Sequence, residues 1–427
     1  FAFRDNIHGL ELRQAFLLTA FAWVGVSAFA ALPFIFSHLV TSYTDAFFEA
    51  ISGLTTTGST VIEHLDSMPP GILLWRALLQ WLGGFGIIGM AIMILPYLRV
   101  GGMQLFQTES SDRSDRVMPR PGQTVAAIIT VYVGLTAVCA LAYDLAGMGS
   151  FDAITHAFAT LSTGGYSTHD ASFSYFDSFT LQWIGVVFMA AGATPFLLYV
   201  RMIKGEPLAL LRDSQTRWFI FVLAGTTLAI TAWRMVYHEA PLHQALTEVA
   251  FNITSIVTTT GFASTDYNVW GAFAVVSFLA LTLVGGCTGS TSGAIKIFRI
   301  QIMVITAVRL LKGLVAPRAV LPLRYNGKSF DEEVPASVLV FVFLFVASVG
   351  MLALALSMLG LDPMTAISGA ATAVANVGPG LGEVIGPSGN FAGLPEAAKW
   401  LLSAGMLLGR LELMTVFVLL TPYFWRQ

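Results

Sequence analysis

Charge is scarce in this sequence. Lys, Arg, Asp and Glu make up 11% of its 427 residues, less than half the share of about 25% usual in soluble domains. Hydrophobic residues stand at 56%, which excludes an ordinary water-soluble fold and leaves a membrane protein. Cysteine is nearly missing. Cys139 and Cys287 both sit inside apolar runs, so neither a disulfide framework nor a thiolate metal site is available. Polar segments such as Phe106–Arg116 are too short for a domain, and no soluble catalytic or nucleotide-binding domain is encoded. No charged segment with a cleavage site precedes the first apolar run, so no signal peptide is expected. The chain starts at Phe1, and its natural N-terminus is expected to be missing.

What is present is apolar length. Six uncharged runs are long enough to cross a hydrocarbon core, which takes about 20 residues: Ala15–Phe36, Ala77–Leu98, Val125–Tyr143, Ser178–Val200, Asn268–Ile295 and Val334–Leu361. Two more are interrupted by charge: Trp218–Tyr237 by Arg234, and Trp400–Trp425 by Arg410 and Glu412. Eight spans are expected. Segments 99–124, 201–217 and 296–333 hold fifteen of the 22 Lys and Arg residues. By the positive-inside rule they face the cytoplasm, as do both ends of the chain.

One short pattern recurs four times: Thr55-Thr56-Thr57-Gly58-Ser59, Ser162-Thr163-Gly164-Gly165-Tyr166, Thr258-Thr259-Thr260-Gly261-Phe262 and Ala375-Asn376-Val377-Gly378-Pro379. The aligned glycines are 107, 96 and 117 residues apart, and each lies between two apolar runs. Asp45 and Asp152 precede their glycines by 13 residues, as expected of a shared structural unit. The ten residues from Asp45 to Leu54 make about 15 Å of helix, half a bilayer. Here the chain must enter the membrane and return, and irregular backbone at that depth is tolerated only inside protein or along a wet cavity. The repeats run over 10–98, 124–202, 217–310 and 334–425, joined by cytoplasmic loops 99–123, 203–216 and 311–333.

Four such loops can supply a ring of backbone carbonyls that replaces the water around a monovalent cation. Glycine suits them because carbonyls align along one axis only where some residues adopt positive φ. The expected fold is therefore an all-α integral membrane protein, with four helix–pore-helix–filter–helix repeats around a central pore. The candidate filter is Thr56, Thr57, Gly58, Thr163, Gly164, Gly165, Thr259, Thr260, Gly261, Asn376, Val377 and Gly378. Glu63, Asp66, Asp170, Asp177, Asp266 and Glu383 follow the loops and would concentrate cations at the outer mouth. One aligned glycine per loop suggests fewer tight ion sites than a longer filter with two, and looser discrimination among K⁺, Rb⁺ and Na⁺.

The third repeat contains Gly285-Gly286-Cys287-Thr288-Gly289-Ser290-Thr291-Ser292-Gly293, too rich in glycine for a continuous helix. It is read either as a flexible gate or as a static break that lets helices pack closely. It lacks the Gly-Lys-Ser/Thr ending of a phosphate loop. Arg410 inside the last span must face protein or water, either as a positive plug under the filter or in an interhelical salt bridge. Glu412 is a poor partner for it, since residues two apart do not share a helix face. Gly83, Gly84, Gly86 and Gly89 are candidates for close helix approach. His64, His156 and His169 read as solvated or helix-end histidines rather than metal ligands, and Asn252-Ile253-Thr254 is discounted as a glycosylation acceptor.

The four repeats, the Gly285–Gly293 loop, Asn376-Val377-Gly378-Pro379-Gly380-Leu381-Gly382-Glu383, Gly409-Arg410-Leu411-Glu412 and Thr421-Pro422-Tyr423-Phe424-Trp425 resemble the Trk/Ktr/HKT superfamily, and within it the bacterial TrkH-type potassium uptake subunits. The resemblance covers essentially the whole chain. It implies K⁺ uptake across the bacterial inner membrane, a homodimer, and control by a TrkA-type cytosolic partner that carries the nucleotide, ATP/ADP or NAD. It also assigns the gate to Gly285, Gly286, Gly289 and Gly293 together with Arg410. All four filter glycines are present, the pattern associated with K⁺ selectivity, whereas members with Ser in the first loop favour Na⁺. The family's extra N-terminal hairpin is absent from this sequence, and Gly164 stands where other members often have Ala or Ile. A K⁺ symporter coupled to H⁺ or Na⁺ is the alternative. An enzyme is not expected, because no nucleophile has an adjacent base and a third orienting group. Nor is a nucleic-acid partner.

Overall fold

The structure, a computed structural model, describes residues 12–38, 42–93, 121–319, 321–326, 328–330 and 333–426. The expected inner end of the second span, 94–98, and most of the basic loop 99–123 lie outside the described residues. Apart from a two-stranded hairpin pairing Arg324–Tyr325 with Lys328–Ser329, the described elements are helical.

Four helices are too short to cross a bilayer: Tyr43–Leu54, Ser150–Leu161, Leu242–Val257 and Pro363–Ala375, with 12, 12, 16 and 13 residues. At about 1.5 Å per residue they reach about 18–24 Å, against about 30 Å of hydrocarbon. Each runs into one of the four glycine stretches, where the backbone leaves the helix. Asp362 starts the fourth by accepting hydrogen bonds from Met364 N and Thr365 N, with Pro363 in the first turn, where its missing N–H costs nothing.

Among the described residues, five longer helices can each cross a membrane: Phe16–Phe36, Pro70–Met90, Gln123–Leu145, Ser214–His238 and Glu333–Met358. The remaining expected spans are divided. Asn268–Ile295 breaks where its glycines predict, leaving Ala272–Thr282 and Ile297–Val315 on either side of irregular backbone. Two other expectations of continuous spans are corrected. Ser178–Val200 bends by 93° between Phe179–Gly192 and Phe196–Ile203, because Pro195 offers no N–H and steers the residue before it away from helix. Trp400–Trp425 bends by 111° between Glu396–Arg410 and Leu413–Leu419, which puts Arg410 at the end of a helix rather than in its middle.

The repeats close into a ring. In each, the incoming helix packs on its own short helix, and the outgoing helix packs on the short helix of the next repeat. Pro70–Met93 meets Ser150–Leu161, Phe179–Gly192 meets Leu242–Val257, Ala272–Thr282 meets Pro363–Ala375, and Glu396–Arg410 returns to Tyr43–Leu54. Small residues allow the approach. A methyl group on Gly83 would overlap the Leu54 carbonyl, and one on Gly84 would lie 2.8 Å from Ser162 Cβ. Gly86 has only ordinary contact with Trp23, and Gly89 faces open space, so the sequence expectation holds for the first two alone. Apolar clusters fill the joints; one combines Phe34, Phe48 and Leu79 with Leu356, Leu402 and Met406, tying the first repeat to the fourth. Phe21, Phe29, Phe343 and Leu354 point outward, as lipid-facing positions do.

Candidate pore, filter ring and inner loop

The four glycine stretches have one backbone conformation. Gly58, Gly165, Gly261 and Gly378 have φ of 86°, 78°, 88° and 104°, and the residues two positions earlier, Thr56, Thr163, Thr259 and Asn376, have φ of 53°, 51°, 58° and 57°. Positive φ at a non-glycine residue costs on the order of 1–3 kcal/mol. It is held here by a bond repeated four times: Thr57 N to Ser52 O, Gly164 N to Ala159 O and Thr260 N to Ser255 O, each 2.8 Å, and Val377 N to Thr372 O, 3.1 Å. Alternating left-handed residues turn successive carbonyls toward a common side.

Contacts between the loops follow the same order as the helices. A methyl group on Gly58 would overlap Gly164 O; on Gly165, Thr260 O; on Gly261, Val377 O; and on Gly378 it would lie 2.9 Å from Thr57 O. Each glycine thus faces the carbonyl of the next repeat, and the fourth faces the first. All twelve residues singled out from the sequence lie in this ring. Their hydroxyls mostly brace it: Thr57 Oγ1 bonds Thr55 Oγ1 at 2.8 Å, Thr260 Oγ1 bonds Thr258 Oγ1 at 2.7 Å, and Asn376 Nδ2 donates to Thr57 Oγ1 at 2.9 Å.

Behind the ring are ion pairs, buried except at the half-buried Asp45, that the sequence alone does not single out. Arg76 Nε donates to Glu49 at 2.8 Å, its Nη1 donates to Ser167 O, and its guanidinium lies over the Tyr166 ring. Arg234 pairs with Glu248 at 2.6 Å in the third repeat, and Lys399 pairs with Asp45 at 2.6 Å across the joint between the fourth and the first. The sequence does hold one signal, because Glu248 precedes Gly261 by the same 13 residues that separate Asp45 and Asp152 from their glycines. Removing one member of a buried pair strands the other, at about 3–5 kcal/mol. Arg76→Met is therefore expected to lower the unfolding temperature of detergent-solubilised protein sharply. Arg76→Met with Glu49→Gln should recover part of that loss; equal loss in both variants would mean that a stranded Glu49 carboxylate is not what costs the stability.

Residues 283–296 lie directly under the ring. Thr291 Oγ1 donates to Gly192 O and accepts from Thr163 Oγ1, each at 3.0 Å, Gly293 N donates to Thr259 Oγ1 at 2.8 Å, and Ala294 N donates to Ala375 O at 3.0 Å. The loop therefore holds the second, third and fourth glycine stretches at Thr163, Thr259 and Ala375. The break at Ala193-Thr194-Pro195 receives it, with Cys287 N donating to Ala193 O and Phe196 N to Gly289 O. Gly285, Gly286 and Gly293 are pressed against Gly293, Ala193 and Ala375 respectively, and Gly289 has φ of 82°. Arg410 is 2% exposed and donates to Thr291 O at 2.8 Å and Gly83 O at 3.3 Å. Among the described residues it is thus held by carbonyls of the loop and of the first repeat rather than by a carboxylate. Glu412 turns to Arg299 at 2.5 Å and Lys296 at 3.8 Å.

His169 bridges Asp66 and Asp152, and its hydrogen bond holds the Asp66 carboxyl below the usual range. His156 is fully buried, bonded to Asp152 O and Ser167 Oγ. These two histidines are thus structural links rather than solvated side chains. No cluster of three or more His, Cys, Asp or Glu suited to a metal ion occurs among the described residues. Asn252 is buried and bonded to Glu248 O and Ser264 Oγ, out of reach of glycosylation.

Comparison with known proteins agrees with this geometry. The TrkH cation transport protein family matches residues 1–425. The Trk system potassium uptake protein TrkI of Halomonas elongata is 52% identical, over 97% of this chain and 84% of its own length. TrkH of Escherichia coli K12 is 40% identical, over 98% and 87%. The crystal structure of the potassium transporter TrkH from Vibrio parahaemolyticus superposes with a TM-score of 0.90 at 38% identity, covering 99% of this chain and 88% of that one. With its four repeats closed into one ring, the chain belongs to the TrkH family of cation transport proteins, which are transporters and not enzymes.

Proposed function

We propose that this protein takes up potassium across the bacterial plasma membrane through a gated, K⁺-selective pore that also passes Rb⁺. The observation that carries the reading is the closed ring in which each aligned glycine meets the preceding carbonyl of the next loop. A monovalent cation that sheds its water finds oxygens from all four repeats there. Relatives named for potassium uptake support the choice of ion. The gate is the Gly285–Gly293 loop with Arg410, seated against the filter from below. Homodimerisation, a TrkA-type cytosolic partner holding ATP/ADP or NAD, and cytoplasmic placement of both chain ends are expectations from the family resemblance and from the basic loops.

Purified protein in planar bilayers tests the reading, under gradients of K⁺, Rb⁺, Na⁺ and Li⁺. Unitary currents carried by K⁺ and Rb⁺ in preference to Na⁺ and Li⁺ are expected. Transport strictly coupled to H⁺ or Na⁺, without unitary conductance, would replace the pore with a symporter.

A further inference from the structure

Gln80 lies on the outgoing helix of the first repeat and is fully buried. Both ends of its amide are engaged by the second filter stretch: Nε2 donates to Gly164 O at 2.6 Å, and Oε1 accepts from Tyr166 N at 3.0 Å. The amide faces a fixed target, because Tyr166 Oη donates to Glu49 O at 2.8 Å and the Arg76 guanidinium sits 4.2 Å from its ring centroid.

Gly164 O is one of four equivalent carbonyls, with Thr57 O, Thr260 O and Val377 O, each from the residue before an aligned glycine. Those other three accept no protein hydrogen bond among the described residues. The second stretch is also the one with no side chain at this position. A methyl group on Gly164 would lie 2.5 Å from Gln80 Cδ, so the missing side chain and the bonded carbonyl belong to one arrangement.

We propose that Gln80 is a positioning residue for ion selection, which weakens and fixes one of the four filter carbonyls and so biases the ring toward larger monovalent cations. The inference rests on the filter reading above. A carbonyl oxygen has two lone pairs, so Gly164 O can accept from Gln80 and still face an ion. The amide proton on the other lone pair opposes a nearby cation, and it opposes most strongly the small ion that approaches closest. The bond also resists the inward shift by which a ring would contract around Na⁺ or Li⁺. Both effects favour K⁺ and Rb⁺, in line with selectivity set by the field strength of the carbonyls.

The test is the Na⁺/K⁺ permeability ratio of full-length protein in bilayers, for Gln80→Met, Gln80→Glu and Gly164→Ala. Gln80→Met removes the donor at similar size, an ionised Gln80→Glu removes it while keeping an acceptor for Tyr166 N, and Gly164→Ala evicts the amide without changing Gln80. Each is expected to raise the ratio about three- to tenfold, the span one neutral hydrogen bond can produce. Adding Gly164→Ala to Gln80→Ala should change the ratio little further, because the bond is already gone. A ratio within about twofold of the native value in the folded variants, with Gly261→Ser shifting it in parallel, would overturn the role of Gln80 and leave the filter reading standing. If Gly261→Ser also left the ratio unchanged, both would fall. A purely structural Gln80 would lower thermal stability and leave the ratio alone.

Discussion

Gly261→Ser is expected to destroy ion discrimination and to reduce K⁺ uptake by at least about tenfold. Gly261 has φ of 88°, a conformation that costs an L-residue roughly 1–2 kcal/mol. Steric overlap adds more than this, because the new Cβ would fall on the Val377 carbonyl oxygen. That oxygen cannot yield without tilting out of the ring, since Val377 N is tied to Thr372 O. Gly58 and Gly165 face Gly164 O and Thr260 O with as little room, whereas a Cβ at Gly378 would stand 2.9 Å from Thr57 O. The four Gly→Ser variants should therefore be graded, with Gly378→Ser the mildest. Complementation of a K⁺-uptake-deficient strain at limiting K⁺, with Rb⁺ and Na⁺ fluxes on purified protein, measures the series. Equal effects at all four positions would contradict the graded geometry, and no effect at any would remove the filter.

Arg410→Gln should raise resting K⁺ or Rb⁺ flux about thirtyfold. Arg410 is buried under the ring and donates to backbone carbonyls there. A fixed charge about 8 Å from a passing cation, at an effective dielectric of about 20, opposes it by about 2 kcal/mol. The same side chain pins the inner loop through Thr291 O, so its loss removes both a charge barrier and an anchor. Arg410→Lys keeps the charge but not the two-pronged geometry. If charge is the main barrier, Lys should behave nearly as Arg; if the anchor is, Lys should leak nearly as Gln. Unchanged flux in both variants would count against a gate at this place.

The helix plan is legible in the sequence because membrane spans and re-entrant stretches are set by local length, charge and glycine. Apolar run length locates the crossings, and the repeated Thr-Gly stretches locate the four turns. The second outgoing helix reads as continuous, although Pro195 is a local sign of a break. Its partner explains why the break matters: Ala193 receives a loop almost one hundred residues further along the chain. Glu49, Arg76, Gln80 and Glu248 escape notice for a similar reason. A charged or polar residue in a short helix or near a span end reads as an interfacial group until the chain is folded around it.

By itself the sequence determined that this is a membrane protein, how many times its backbone must turn at mid-depth, and which glycines allow those turns, since each follows from neighbours along the chain. Only the tertiary structure decided which carbonyl each glycine faces, that Glu412 answers Arg299 and Lys296 while Arg410 is left to carbonyls of the loop and of Gly83, and that Gln80 holds Gly164. Those pairings join residues 84 to 327 positions apart. No local pattern selects such partners, because an ion pair or hydrogen bond in a low-dielectric interior depends on position to within about an ångström, and that position is set by the closed packing of all four repeats.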